Sequence, residues 1–283
     1  MIVTRLMGGL GNQMFQYAAG LRLAHRRGVP LRIDTSWFDS AEGRGSATPR
    51  TYALDCFAVT SPRWRLARLR HTRWGRRAGL LPPVLREKSF AFDPGVLDAP
   101  DGVVLEGYWQ SEDYFADAAQ IVRRELTFCT PPSSRTRELL EEVRSRESVS
   151  LHVRRGDYVT SRATNDFHGT CSPDYYAAAV ARVASAVPDP HYYVFSDDPQ
   201  WCKDNLVLDA PTTYVDHNPP ERGAEDLRLM AACRHHVLAN SSFSWWGAWL
   251  EDDASHVVVA PRTWFRDPSI DTGDLVPARW ERV

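Results

Sequence analysis

Apolar positions along this chain of 283 residues switch between a period near two and a period near 3.6, which predicts alternating strands and helices. A short apolar run at residues 2–6 reads as a strand. The glycine turn Gly8-Gly9-Leu10-Gly11 ends it, and Met14, Tyr17, Ala18, Leu21 and Ala24 then fall on one helical face. Residues 30–34 read as the next strand, 35–60 as loop-rich, 103–107 as a strand and 111–126 as a helix. The pair Pro131-Pro132 breaks the pattern, and a charged helix over 133–146 is placed as a bridge between domains.

The second half is more regular. Strands are expected at 149–153, 191–195, 213–215, 236–239 and, as the last, 257–260. Helices are expected at 173–186, 222–233 and 243–250. Alternation at this spacing predicts parallel sheets covered by helices on both faces. The whole reads as two α/β domains, 1–147 and 148–283, with a cleft between them and ligands beyond the carboxyl ends of the strands.

Composition narrows the partners. Hydrophobic residues make up 43% of the chain and charged residues 25%, as in an ordinary globular protein with real cores. The net charge of −2 argues against a general nucleic-acid binder, so any anion site must be local. Lysine occurs only at Lys88 and Lys203, so no arginine is informative without its context. Cys56, Cys129, Cys171, Cys202 and Cys233 are odd in number and form no CxxC pair, which points to neither a disulfide framework nor a zinc site. The start is unlike a signal peptide and no apolar stretch is long enough to span a bilayer, so a cytoplasmic protein is expected.

Four segments fall where a ligand should bind. In GGLGNQ, residues 8–13, Gly9 and Gly11 let the backbone approach a phosphate or sugar, and the amides of Asn12 and Gln13 suit hydroxyls. A plain tight turn is an equal reading, and the segment lacks both the GxGxxG spacing and a P-loop lysine. In HVRRGDY, residues 152–158, Arg154 and Arg155 follow a strand end and form a diphosphate clamp in principle, while the ring of His152 can face a base. The other reading is an arginine pair bonded to interface carboxylates. The embedded Arg-Gly-Asp is a chance occurrence. In FSDDP, residues 195–199, Asp197 and Asp198 are adjacent and need not converge on one ion. One capping or orienting role and one hydrogen-bonding role are expected there, without metal. In ANSSFSWWGAWL, residues 239–250, Asn240, Ser241 and Ser242 open a helix and suit either phosphate binding or capping. Phe243, Trp246 and Leu250 should pack inward, and Gly247 should permit close helix contact. Upstream, Glu225 and Asp226 offer carboxylates for guanine's N1 and N2 groups, or simply first-turn charges on a helix.

Five segments in order, GGLGNQMFQYA, GYWQSEDYF at 107–115, HVRRGDYV, FSDDP and NSSFSWWGAWL, together resemble glycosyltransferase family 11, which contains bacterial and animal α-1,2-fucosyltransferases. The resemblance implies a GT-B-type α/β fold of two Rossmann-like domains facing a cleft. It implies GDP-β-L-fucose as donor on the second domain, an acceptor approaching from the first, inversion at the anomeric carbon, and neither metal nor other cofactor. Arg154 matches the arginine that holds the β-phosphate, and His152 and Asp226 match positions that contact guanine. Asp198 lies in the matching acidic segment, Ser241, Ser242 and Phe243 match the turn beside the diphosphate, and Asn12 matches an asparagine near sugar and phosphate.

The expected reaction is therefore fucosyl transfer to the 2-hydroxyl of a galactose-containing oligosaccharide or lipid-linked glycan. A same-fold enzyme with another donor or linkage, and a non-catalytic glycan- or nucleotide-binding protein, are the alternatives. The acceptor's proton needs a base, for which Asp157 and His168 are candidates. Asp157 reads equally well as the salt bridge that orients Arg154 or Arg155, and His168 as an ordinary loop residue. The basic run at 63–77 reads either as a peripheral contact with the anionic inner face of a membrane or as a solvated arginine-rich surface.

Overall fold

The computed structural model describes residues 1–45, 49–65, 81–251, 253 and 255–283, without the side chains of Asp157, Thr160 and Ala163. Most of the basic run at 63–77 lies outside the described residues. Among those described, no helix is long and apolar enough to cross a membrane. The chain forms two compact units, one of residues 1–129 with 271–277, the other of 130–270 with 278–283.

The first unit is built on four parallel strands, β1 (Ile2–Arg5), β2 (Leu31–Asp34), β3 (Val84–Arg86) and β4 (Val104–Glu106), in the order β2-β1-β4-β3. β3 has no expected counterpart, because it is only three residues long and these are partly buried or exposed. The helix Leu10–Arg27 follows β1 and ends at Gly28, which takes the left-handed φ of 63°. Its buried surface is wider than the expected stripe: Leu21 is only partly covered, whereas Gln13, Gln16 and Arg22 are buried. Arg22 is accommodated by a bidentate pairing with Asp117, at 2.8 and 2.7 Å, and by the Leu97 carbonyl at 2.9 Å.

The helix expected at 111–126 is broken into 3-10 turns at Glu112–Tyr114 and Ala116–Ala118 and a short helix at Ala119–Glu125. Phe115, at φ −148°, and Ala118, at φ −121°, leave the helical region and divide the segment.

The second unit carries six parallel strands: β5 (Ser148–Val153), β6 (His191–Ser196), β7 (Thr212–Val215), β8 (His235–Val237), β9 (Val258–Ala260) and β10 (Glu281–Arg282). Their order is β10-β9-β8-β5-β6-β7. Counted within the unit, this is the doubly wound order 3-2-1-4-5-6, whose direction reverses between β5 and β8. β10 extends the sheet past the strand expected to be last, and its two polar residues gave no sign of it.

The helix Ser134–Arg144 is not a bridge but part of the second unit's core, where Leu139, Leu140 and Val143 pack with Tyr193, Phe195 and Leu229. The units accordingly divide after Cys129. The helix Ser242–Leu250 is apolar nearly all round: Trp245, Trp246 and Trp249 are buried, while Phe243 and Leu250 are only partly covered. A Cβ on Gly247 would come within 2.9 Å of Met230 Cβ, so close helix contact does depend on this glycine.

Candidate functional site

Three loops leave neighbouring strand ends in the second unit. β5 delivers His152 and then Arg154, its partner β8 delivers residues 238–241, and β6, on β5's other side, delivers Asp197 and Asp198. The first two flank the reversal point of the sheet, where the loops of adjacent strands run off to opposite faces and leave room for a ligand.

The acidic loop holds the arginine loop in place. Arg154 Nη1 lies 2.8 Å from Asp197 Oδ2, and the backbone N–H of Arg155 donates to Asp197 Oδ1 at 2.8 Å. Gly156 packs so tightly that a Cβ there would lie 2.4 Å from Asp197 Oδ2. Arg155 is turned aside: its Nε donates to Asp198 Oδ2 at 3.2 Å and its guanidinium lies 4.1 Å from the centre of the Trp201 ring. Asp198 also caps the helix Pro199–Asn205, accepting from Trp201 N at 3.2 Å. The two aspartates thus divide into orienting and capping roles, and among the described residues no group of three or more His, Cys, Asp or Glu is placed to hold a metal ion.

Asp157 begins the short helix Gly156–Thr160 together with Gly156; its side chain lies outside the description. His168 closes the helix Arg162–His168 and stacks on Tyr158, with ring centres 4.7 Å apart and planes at 8°. Tyr158 also lies 5.4 Å from the Arg154 guanidinium, and its hydroxyl donates to Asn240 O at 3.3 Å. This one ring therefore joins the arginine loop, the candidate base and the serine loop.

In the serine loop, the Asn240 side chain is committed to the chain itself. Its Nδ2 donates to the carbonyls of His168, Gly169 and Trp264 at 3.0 to 3.3 Å. Ser241 caps the helix Ser242–Leu250 by accepting from Phe243 N at 3.3 Å, and Ser242 is that helix's first residue. The Phe243 ring lies 5.8 Å from His152. His152 is 6% exposed and its Nδ1 is buried without a partner among the described residues. Burial, aided by the charge of Arg154, pushes its pKa down to about 3, so the ring is neutral near pH 7.

Asp226 lies on the helix Gly223–Ala232, whose first residue approaches Phe243. Burial raises its pKa to about 6, against the hydrogen bond it accepts from Asn218 Nδ2 at 2.8 Å; the neighbouring Glu225 charge raises it further. Glu225 itself is buried and accepts from Ser133 N at 3.1 Å, fixing the start of the helix Ser134–Arg144.

In the first unit the turn's left-handed position is Gly8, at φ 74°, with Gly9 as the helix N-cap and Gly11 buried inside the helix. Gln13 is fully buried and saturated: Nε2 donates to Gly8 O at 3.0 Å and Thr51 O at 2.8 Å, and Oε1 accepts from Ala53 N at 2.9 Å. Its expected place at a ligand gives way to pinning residues 51–53 to the turn. Asn12 Oδ1 instead accepts from Gln110 Nε2 at 2.9 Å.

Residues 101–281 match the family model for glycosyl transferase family 11. The chain belongs to that family. An alpha-1,2-colitosyltransferase of Escherichia coli is 31% identical over 292 residues, covering 100% of this chain and 98% of its own. The O-antigen biosynthesis glycosyltransferase WbnK, also of Escherichia coli, is 31% identical, covering 92% and 93% respectively. The galactoside alpha-(1,2)-fucosyltransferase 2 of Sus scrofa is 27% identical, covering 86% and 68%. Among solved structures, Arabidopsis thaliana FUT1, as its R284K mutant with GDP, superposes with a TM-score of 0.51 at 9% identity, covering 92% of this chain and 70% of that one. That likeness concerns the fold alone, which is α/β of the GT-B type.

In this family 11 glycosyltransferase, sequence reasoning missed Tyr158 and Trp201, the rings that seat the arginine pair, and Gln110, the partner of Asn12. The residue spacing carries no sign of any of the three. Only the motif GYWQSEDYF marked the neighbourhood of Gln110.

Proposed function

We propose that this enzyme transfers L-fucose from GDP-β-L-fucose to the 2-hydroxyl of a galactoside, with inversion and without a metal ion. The observation that carries the reading is Arg154, held by Asp197 at the reversal point of the second unit's sheet, close to a neutral buried His152 and linked through Tyr158 to the serine loop. As the glycosidic bond breaks, negative charge gathers on the departing GDP. A preorganised guanidinium and the N–H groups of a helix start stabilise it without reorganising. Arg154 is assigned to the β-phosphate, and Ser241, Ser242 and Phe243 to its surroundings. His152 and Asp226 are assigned to guanine, whose N1 and N2 groups can both donate to one carboxylate. Arg155 and Asn240 hold their loops. Asp157 and His168 are the candidates to receive the acceptor's proton.

The relatives named for α-1,2 transfer support the linkage. The 31% identity to a colitosyltransferase along the whole chain supports a second reading, in which the donor sugar is colitose, which is fucose without its 3-hydroxyl. The acceptor is a galactose-containing glycan, free or lipid-linked. In the lipid-linked case the basic run at 63–77 would meet the anionic inner face of the membrane. Incubating the purified protein with each GDP-sugar, galactosides and EDTA tests the assignment. Fucose transfer is expected. Turnover with GDP-colitose alone would move the donor to the second reading, and turnover with neither would overturn both.

A further inference from the structure

The segment 107–115 forms a turn of specific geometry. Glu87, just past β3, accepts from Tyr108 N at 2.6 Å and Trp109 N at 2.9 Å. Gly107 packs against it with no space for a side chain, since a Cβ would lie 2.4 Å from Glu87 Cβ. Trp109, at φ 57° and fully buried, turns the chain beyond β4. Gln110 then reaches the first turn of the helix Leu10–Arg27, where its Nε2 donates to Asn12. Gln110 is 8% exposed, and its Oε1 accepts no hydrogen bond among the described residues.

This carbonyl oxygen lies at the first unit's own reversal point, between β1 and β4. The helix Leu10–Arg27, whose first turn holds Asn12, starts at Gly9 without a side-chain cap, so its first backbone N–H groups are donors at this end. A phosphate can only accept hydrogen bonds, so Gln110 Oε1 would oppose it. A hydroxyl both donates and accepts, and satisfies the whole set. A sugar is the ligand class that matches.

We propose that Gln110, oriented by Asn12 and by the turn that Glu87 holds, binds a hydroxyl of the acceptor glycan through its Oε1. This rests on the glycosyl-transfer reading above. Losing one such hydrogen bond should raise the acceptor KM about tenfold in Gln110→Leu. The donor KM and the affinity for GDP should stay within about twofold, which also shows that the variant folds. Gln110→Glu keeps an acceptor oxygen but loses the N–H that Asn12 Oδ1 receives, so it should recover only part of the loss.

Monodeoxy galactosides make the test specific. One position should cost the wild type about tenfold and Gln110→Leu nothing, as a double-mutant cycle requires. Equal discrimination by both proteins at every position, or a rise in donor KM instead, would overturn the proposal. Galactoside binding to the donor-free proteins, followed by saturation-transfer NMR, separates the two claims. A wild type that binds galactosides but transfers nothing overturns the transfer reading, while weaker binding by Gln110→Leu still supports the site and equal binding overturns it.

Discussion

Asp197 grips two consecutive residues of one loop: its Oδ2 meets the Arg154 guanidinium at 2.8 Å and its Oδ1 takes the Arg155 N–H at 2.8 Å. The side chain proposed to meet the leaving diphosphate is thereby fixed from the neighbouring strand end. Arg154→Ala should lower kcat by about a hundred- to a thousandfold, as losing one transition-state donor typically does. Asp197→Ala should lower it less, since the guanidinium remains but is no longer positioned. Steady-state kinetics of both variants and of the double variant check this. The double variant should be no worse than Arg154→Ala; additive losses would separate Asp197 from Arg154.

Gly156→Ala should act through the same contact. The new Cβ would stand 2.4 Å from Asp197 Oδ2 and displace it. Activity should fall as in Asp197→Ala, and adding Gly156→Ala to Asp197→Ala should cost little more. A large further loss would show that the glycine serves the backbone instead.

Arg155 should behave differently from Arg154. It is held by Asp198 and Trp201, so Arg155→Ala should loosen the loop and lower the melting temperature, with a loss of rate at least tenfold smaller, by this account, than about a hundredfold for Arg154. Thermal unfolding and kcat measured side by side decide it. Equal rate losses for the two arginines would mean that both meet the diphosphate.

GDP affinity should depend on pH through Asp226. In the free protein its carboxyl has a pKa of about 6, raised by burial and by Glu225 and opposed by Asn218. Guanine's two donors favour the carboxylate, so the pKa falls in the complex and binding near pH 6 releases protons. Affinity is full above about 6 and weakens as pH falls through it, by up to about tenfold per unit. Calorimetry of GDP binding in buffers of different ionisation enthalpy reads the released protons. An affinity flat between pH 5 and 7, or proton uptake, would take Asp226 out of the guanine site.

Much of the second unit was legible because β5, β6 and β9 are rich in β-branched, aromatic and other apolar residues, and the helices Pro173–Ala186 and Ser242–Leu250 open on the serine caps Ser172 and Ser241. β3 and β10 were not, since partly buried edge strands of a few residues need no apolar pattern. The loops bearing Arg154, Asp197 and Ser241 stood out because chemistry-bearing residues follow strand ends. Which of these side chains are tied to other parts of the chain was not legible, because their partners are distant in sequence. Gln13 and Asn240 look like ligand-binding amides until Thr51, Ala53 and Trp264 are seen to saturate them, and Gln110 looks unremarkable until Asn12 is found beside it.

The transfer reaction is decided by the linkage of the product formed from GDP-β-L-fucose and a galactoside in the presence of EDTA, read by NMR. An α-linked fucose on the 2-hydroxyl of galactose is expected, formed by the wild type and abolished in Arg154→Ala. A β-linked product, a different acceptor position, or transfer that stops on chelation and resumes with added divalent metal would contradict it.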